Sequence, residues 1–114
     1  MHVSFLKPHP PFHVADPWFS KFDPNNIDLP KNNISLQELS KKHPLLKELC
    51  NKFLLKENFS EINYDLLKDQ DIKNIMSVYF GMCAEVDFNI GKILNALKES
   101  GQEENTMIIF TSDH

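Results

Sequence analysis

The chain has 114 residues, 16 acidic side chains against 12 basic ones and a formal net charge of −4. That balance argues against a nucleic-acid binder, which needs a basic face to neutralise phosphates, and no apolar run approaches the roughly 18 residues of a membrane span. Hydrophobic residues make up 41% and charged residues 25%, as in ordinary soluble globular proteins; all twelve cations are lysine, so any planar bidentate clamp on an oxyanion must come from elsewhere.

Met1 to Leu6 is short, apolar and partly β-branched or aromatic, which predicts a strand. It runs into Lys7-Pro8-His9-Pro10-Pro11-Phe12, where prolines remove backbone donors and fix φ, so the strand must stop with Lys7 and His9 at its end. Six of the seven prolines lie between positions 8 and 30. They mark the stretch from His13 to Asn33 as an irregular excursion over the surface. Phe12, Trp18, Phe19 and Phe22 punctuate it, as rings that would pin an ordered loop.

Ser35 and Glu38 have capping-box spacing, which predicts a short helix over about 36–42. His43-Pro44 ends it, because a residue before proline is pushed out of the α region. His43 is therefore read as a boundary residue and not as a ligand. A second helix is expected from Pro44, with Leu45, Leu46, Leu49, Phe53 and Leu54 on one side. Lys56 to Leu67 reads as a polar link with Phe59, Ile62 and Tyr64 as anchors.

From about Asp69 to Ser100, Ile72, Ile75, Met76, Tyr79, Phe80, Cys83, Val86, Ile90, Ile93, Leu94 and Leu97 recur at three- and four-residue steps. The period predicts a long amphipathic helix with a continuous core face, and Gly101 a left-handed stop behind it. Glu85 and Asp87 lie off the centre of that stripe and are read as solvated or locally hydrogen-bonded. Cys50 and Cys83 do not form a C-x-x-C pair and are expected as reduced, semi-buried thiols.

Met107-Ile108-Ile109-Phe110, bounded upstream by the turn-like Glu103-Glu104-Asn105-Thr106, predicts a second strand. Asp113 and His114 follow at its carboxyl end, the place where open α/β sheets bind ligands. A hard carboxylate oxygen and an imidazole nitrogen would make half of a divalent-cation site; the alternative is an ordinary strand-end turn. The order strand, proline-rich loop, short helices, long helix, strand is an elongated β-α-β crossover of an α/β fold. Two strands cannot cover so long a helix, so residues 1–114 are expected to be a partial domain, incomplete at both ends. The opening residues lack a signal peptide's basic lead and long apolar core, which gives a cytoplasmic expectation.

Glu85-Val86-Asp87, then Gly91-Lys92-Ile93-Leu94 and Leu97, then Gly101 and the run from Asn105 through Thr111-Ser112-Asp113-His114 closely resemble the sulfatase family of the alkaline-phosphatase-like superfamily. The shared form is a helix E-V-D-x-x-x-G-x-I/L-L-x-x-L, a turn, and a strand entering T-S-D-H. Lys7-Pro8-His9-Pro10-Pro11-Phe12 also resembles the family's P-H-x-P-F segment. The Asp-His strand end, with His43-Pro44-Leu45-Leu46, looks most like the phosphonate monoester hydrolase and arylsulfatase branch. The two ends of the chain match well and residues 13–68 only loosely.

The resemblance implies a fragment of an alkaline-phosphatase-like α/β sandwich and a metal-dependent sulfuric ester hydrolase, the alternatives being a phosphonate monoester or phosphodiester hydrolase of the same fold or a truncated, non-catalytic remnant. It implies that Asp113 and His114 bind one divalent cation, calcium by the carboxylate or manganese or zinc by the histidine. It implies that His9 is catalytic, stabilising the transferring oxygens or protonating the leaving oxygen, and that Lys7 is a weaker substrate contact. The family's nucleophile, a serine or a cysteine oxidised to formylglycine in C/S-x-P-S/A-R, has no counterpart among these residues, since neither Glu48-Leu49-Cys50-Asn51-Lys52 nor Gly81-Met82-Cys83-Ala84-Glu85 matches. The implied partner is a small sulfate, phosphate or phosphonate ester, and a homo-oligomeric full-length protein stays open.

Overall fold

The long helix expected from the three- and four-residue apolar spacing carries the architecture. The computed structural model describes residues 1–31, 36–54 and 67–112, and within them three α-helices form: α1, Leu36–Lys42; α2, Pro44–Leu54; and α3, Asp69–Glu99. Short 3-10 turns occupy Pro24–Asn26 and Glu103–Asn105.

Local chemistry sets the ends of these helices. Asp69 and Asp71 place negative charge in the first turn of α3, where the helix dipole favours it, and the Asp71 carboxylate accepts the Lys68 backbone N–H at 2.9 Å. Gly101, at φ +71°, stops α3 in the left-handed region that costs glycine little. His43 is the boundary residue expected between α1 and α2: its Nδ1 accepts the Leu45 N–H at 3.1 Å, and the two helices pack against each other. The Ser35 capping position and the link anchors Phe59, Ile62 and Tyr64 lie outside the described residues.

The two expected strands are not formed. Met1 to Leu6 and Met107 to Phe110 are irregular, and no β-strand occurs among the described residues. A strand owes its stability to hydrogen bonds from a neighbour and to a covered face. These two segments do not pair with each other, and their side chains stand in solvent, Leu6 at 82% and Phe110 at 81% exposure. The apolar patterning that suits a sheet is present; the described residues build no sheet.

Packing is concentrated where the proline-rich loop lies along α3. The two run in opposite directions: Lys7 meets Glu85, Val14 and Trp18 meet Gly81, and the Ser77 hydroxyl donates to the Phe22 carbonyl at 2.6 Å. Ser77, Gly81 and Glu85 are spaced by four, so they form one ridge of the helix. The aromatic pins expected in the loop find rings on α3: Phe12 on Tyr79, centroids 6.2 Å apart and edge-on, Trp18 on Phe88 at 5.2 Å and Phe22 on Phe80 at 5.8 Å. Phe19 stays exposed. Among the described residues, Val14, Ile27 and Met82 are the buried apolar side chains.

This seam is offset from the apolar stripe read in the sequence. Ser77, Gly81 and Met82 are buried on α3, whereas Tyr79, Phe80 and Leu94 of the stripe remain exposed. The loop comes in backbone-first, and only small side chains admit a backbone so close. A Cβ added at Gly81 would stand 2.5 Å from the Trp18 carbonyl oxygen and 3.1 Å from a Val14 methyl; one added at Gly91 would meet nothing within 4 Å. Gly81→Ala is therefore expected to lower the unfolding free energy by about 1–3 kcal/mol, and Gly91→Ala to raise it by about 0.5–1 kcal/mol through helix propensity. Urea unfolding of the two variants side by side checks both signs.

Candidate active-site cleft

The same seam assembles a cleft. Where the loop reaches the middle of α3, a hollow of about 280 Å³ is lined by Phe5, Leu6 and Val86 and by the polar side chains of Lys7, His9, His13 and Glu85. His9 and Lys7, both singled out in the sequence, thus come together on one wall. Asp113 and His114 lie outside the described residues. A larger hollow of about 430 Å³ is bordered by Phe22, Ile27, Met76 and Phe80; no candidate site residue lines it.

His9 sits in a tight turn, its backbone N–H donating to the Leu6 carbonyl at 3.0 Å. Its ring Nδ1 lies 2.7 Å from the Pro10 carbonyl oxygen. A carbonyl can only accept, so Nδ1 carries the proton in that contact and Nε2 is the nitrogen left for a ligand. His13 repeats the arrangement, with Nδ1 at 3.0 Å from the Pro11 carbonyl oxygen. Both prolines lack an N–H of their own, and each orients a nearby imidazole through its carbonyl oxygen, Pro10 that of the preceding His9 and Pro11 that of His13 two residues on.

Lys7 does not stand free in the cleft. Its ammonium is paired with the Glu85 carboxylate across 78 positions of sequence, which the reading of Glu85 as solvated or locally bonded did not anticipate. The only signal for it was the four-residue spacing of Glu85 from Gly81 on a ridge of small and polar residues. Asn89 supports the same turn of α3, its side-chain N–H donating to the Glu85 carbonyl at 2.9 Å. Higher on the helix, Cys83 is a free, half-buried thiol. It holds the Tyr79 phenol above its usual value, first by the charge its thiolate would place beside the ring and then by a hydrogen bond to the sulfur.

The family model described as Sulfatase matches residues 1–114. The chain belongs to the sulfatase family. Among curated sulfatase-superfamily relatives, the "Multifunctional alkaline phosphatase superfamily protein PehA" of Trinickia caryophylli is 28% identical over 116 aligned positions, covering 100% of this chain and 23% of the relative. Bovine arylsulfatase K is 34% identical over 109 positions, covering 90% of this chain and 17% of the relative. An arylsulfatase of Clostridium perfringens is 28% identical over 116 positions, covering 100% and 21%. This sulfatase chain thus spans about a fifth of the length of the curated relatives it matches. No solved structure matches it. Family membership implies an alkaline-phosphatase-like α/β fold, of which the described residues hold helices and loops.

The donor chemistry of Asp113 and His114, one hard oxygen and one imidazole nitrogen, fits a divalent cation in kind. It does not suffice in number, and the described residues contain no cluster of three or more His, Cys, Asp or Glu side chains that could hold a metal ion.

The tautomer is directly measurable. In its neutral form the His9 ring is expected to carry its proton on Nδ1, visible in the nitrogen-15 shifts of a histidine-labelled sample; a ring protonated on Nε2 would contradict the Pro10 contact.

Proposed function

We propose that this chain is one part of a sulfatase-type catalytic domain that hydrolyses sulfuric esters of small molecules, and that it supplies one wall of the active site. The observation that carries the reading is His9: its Nδ1 is committed to Pro10, so Nε2 is left to serve a substrate in the cleft that His9 lines with Lys7 and Glu85. Family membership supports the reaction class, and the arylsulfatase relatives match this same stretch.

In this scheme His9 acts on the ester through Nε2. It either donates to a non-bridging sulfuryl oxygen as charge builds there or delivers a proton to the leaving oxygen. Both roles need a proton on Nε2 while Nδ1 keeps its own, so the working form of the ring is the imidazolium. Lys7 contributes positive charge to the same wall, tempered by Glu85. Asp113 and His114 would hold one divalent cation with ligands from outside this chain; when bound, such a cation polarises the ester oxygens and orients the group for in-line displacement. The attacking nucleophile also comes from outside these residues, because neither cysteine lies in a matching segment.

A second reading keeps the site and changes the ester. The match to a relative named as multifunctional covers this whole chain, which favours testing a phosphonate monoester or phosphodiester beside the sulfate.

In the full-length protein, nitrophenyl sulfate and a nitrophenyl phosphonate ester are the paired substrates. His9→Ala is expected to lower kcat by about 10²–10⁴-fold on the preferred one. Asp113→Ala and treatment with a chelator are each expected to abolish turnover, with added metal restoring only the chelated wild type. Retained activity in His9→Ala would remove His9 from the chemistry, and turnover of neither ester would leave the non-catalytic remnant. The isolated 114-residue chain is expected to hydrolyse neither ester; turnover by it, lost in Asp113→Ala, would contradict the partial-site reading.

A further inference from the structure

We propose that Glu85 is a positioning residue: its ion pair with Lys7 clasps the His9-bearing segment to α3 and so sets where the imidazole stands in the cleft. The kinetic consequence rests on the hydrolase reading above; the contact itself does not.

The pair is long-range, joining the N-terminal segment to the middle of α3. Both side chains are partly withdrawn from water, at 29% and 28% exposure, where a charge pair is screened less than at an open surface. Lys7 precedes His9 by two residues, with Pro8 and its fixed φ between them. The intervening chain is further closed by the His9 N–H on the Leu6 carbonyl. A tether on Lys7 is therefore passed to His9 through a stretch with little freedom to absorb it.

The bonds that His9 makes for itself cannot do this. Its ring contact is to Pro10 and its backbone contact to Leu6, both inside the segment, so they travel with it. Phe12 on Tyr79 anchors the far side, but an edge-on ring contact slides more readily than an ion pair whose partners must stay within hydrogen-bond reach. Glu85 is thus the directional contact that ties this turn to the helix, and Lys7 serves it as a tether more than as a ligand for ester oxygens.

The test uses the full-length protein with Glu85→Gln and Lys7→Met, each alone and combined with His9→Ala. Asp87→Asn, which removes a carboxylate two residues along the same helix, is the control. On nitrophenyl sulfate, Glu85→Gln and Lys7→Met are each expected to lower kcat about ten- to a hundredfold through misplacement of the imidazole. Asp87→Asn is expected to stay within about twofold. Once His9 is alanine, Glu85→Gln is expected to cost nothing more, because residues acting as a unit are not additive. An equal loss with and without the imidazole would overturn the proposal, since that is how general destabilisation behaves. Hydrogen exchange at the His9 amide reads the clasp without turnover: Glu85→Gln is expected to speed it at least about threefold. Unchanged exchange overturns the clasp whatever the activity. Faster exchange in a protein that hydrolyses neither ester supports the clasp and removes the hydrolase reading.

Discussion

A peptide backbone can lie against a helix only where the helix offers no side chain to hold it off, and Gly81 is that place in α3. The Trp18 carbonyl occupies the space a Cβ would fill, and the contacts on either side follow from that approach. One turn earlier the Ser77 hydroxyl satisfies the Phe22 carbonyl, a part-buried backbone acceptor that would otherwise lose its partner as the loop packs down. One turn later Glu85 takes the Lys7 ammonium. A close approach, a hydrogen bond and an ion pair, at four-residue intervals on one ridge, hold a loop that its own prolines leave poor in backbone donors.

The candidate chemistry is a by-product of that seam. Because the loop runs antiparallel to α3, its first residues fall beside Glu85 and Val86, and the hollow between them is where His9 and His13 stand. The prolines have a second use here. They stop regular structure, and two of their carbonyl oxygens fix the Nδ1 protons of the histidines, leaving each ring a defined outer nitrogen. An imidazole on an exposed loop is ordinarily a poor tool because its orientation is not set; the Pro10 carbonyl sets this one locally, and the Lys7 clasp sets the segment that carries it.

Away from the seam, the chain keeps apolar surface in water. Tyr79, Phe80 and Leu94 on α3, and Met107 through Phe110 beyond it, are exposed, although their spacing suits burial. An amphipathic helix of 31 residues presents more apolar face than one loop can cover. Membership in an α/β family accounts for the composition of that face: its residues suit a sheet that the described residues do not build.

The sequence by itself determined the helices and their limits. Three- and four-residue apolar spacing, the acidic first turn, Gly101 and the His43-Pro44 boundary act within a few residues of one another, so local physics decides them. It also contained the family pattern, and with it His9, Asp113 and His114 as candidates. Only the tertiary structure decided which face of α3 is covered, because Ser77 and Gly81 matter through a loop some 60 positions away and nothing in their neighbours marks them. The same holds for Glu85, whose charge reads as solvated until Lys7 arrives across 78 positions. The strands went the other way: their apolar patterning is local, but a strand exists only when another strand pairs with it, and no run of residues supplies its own partner.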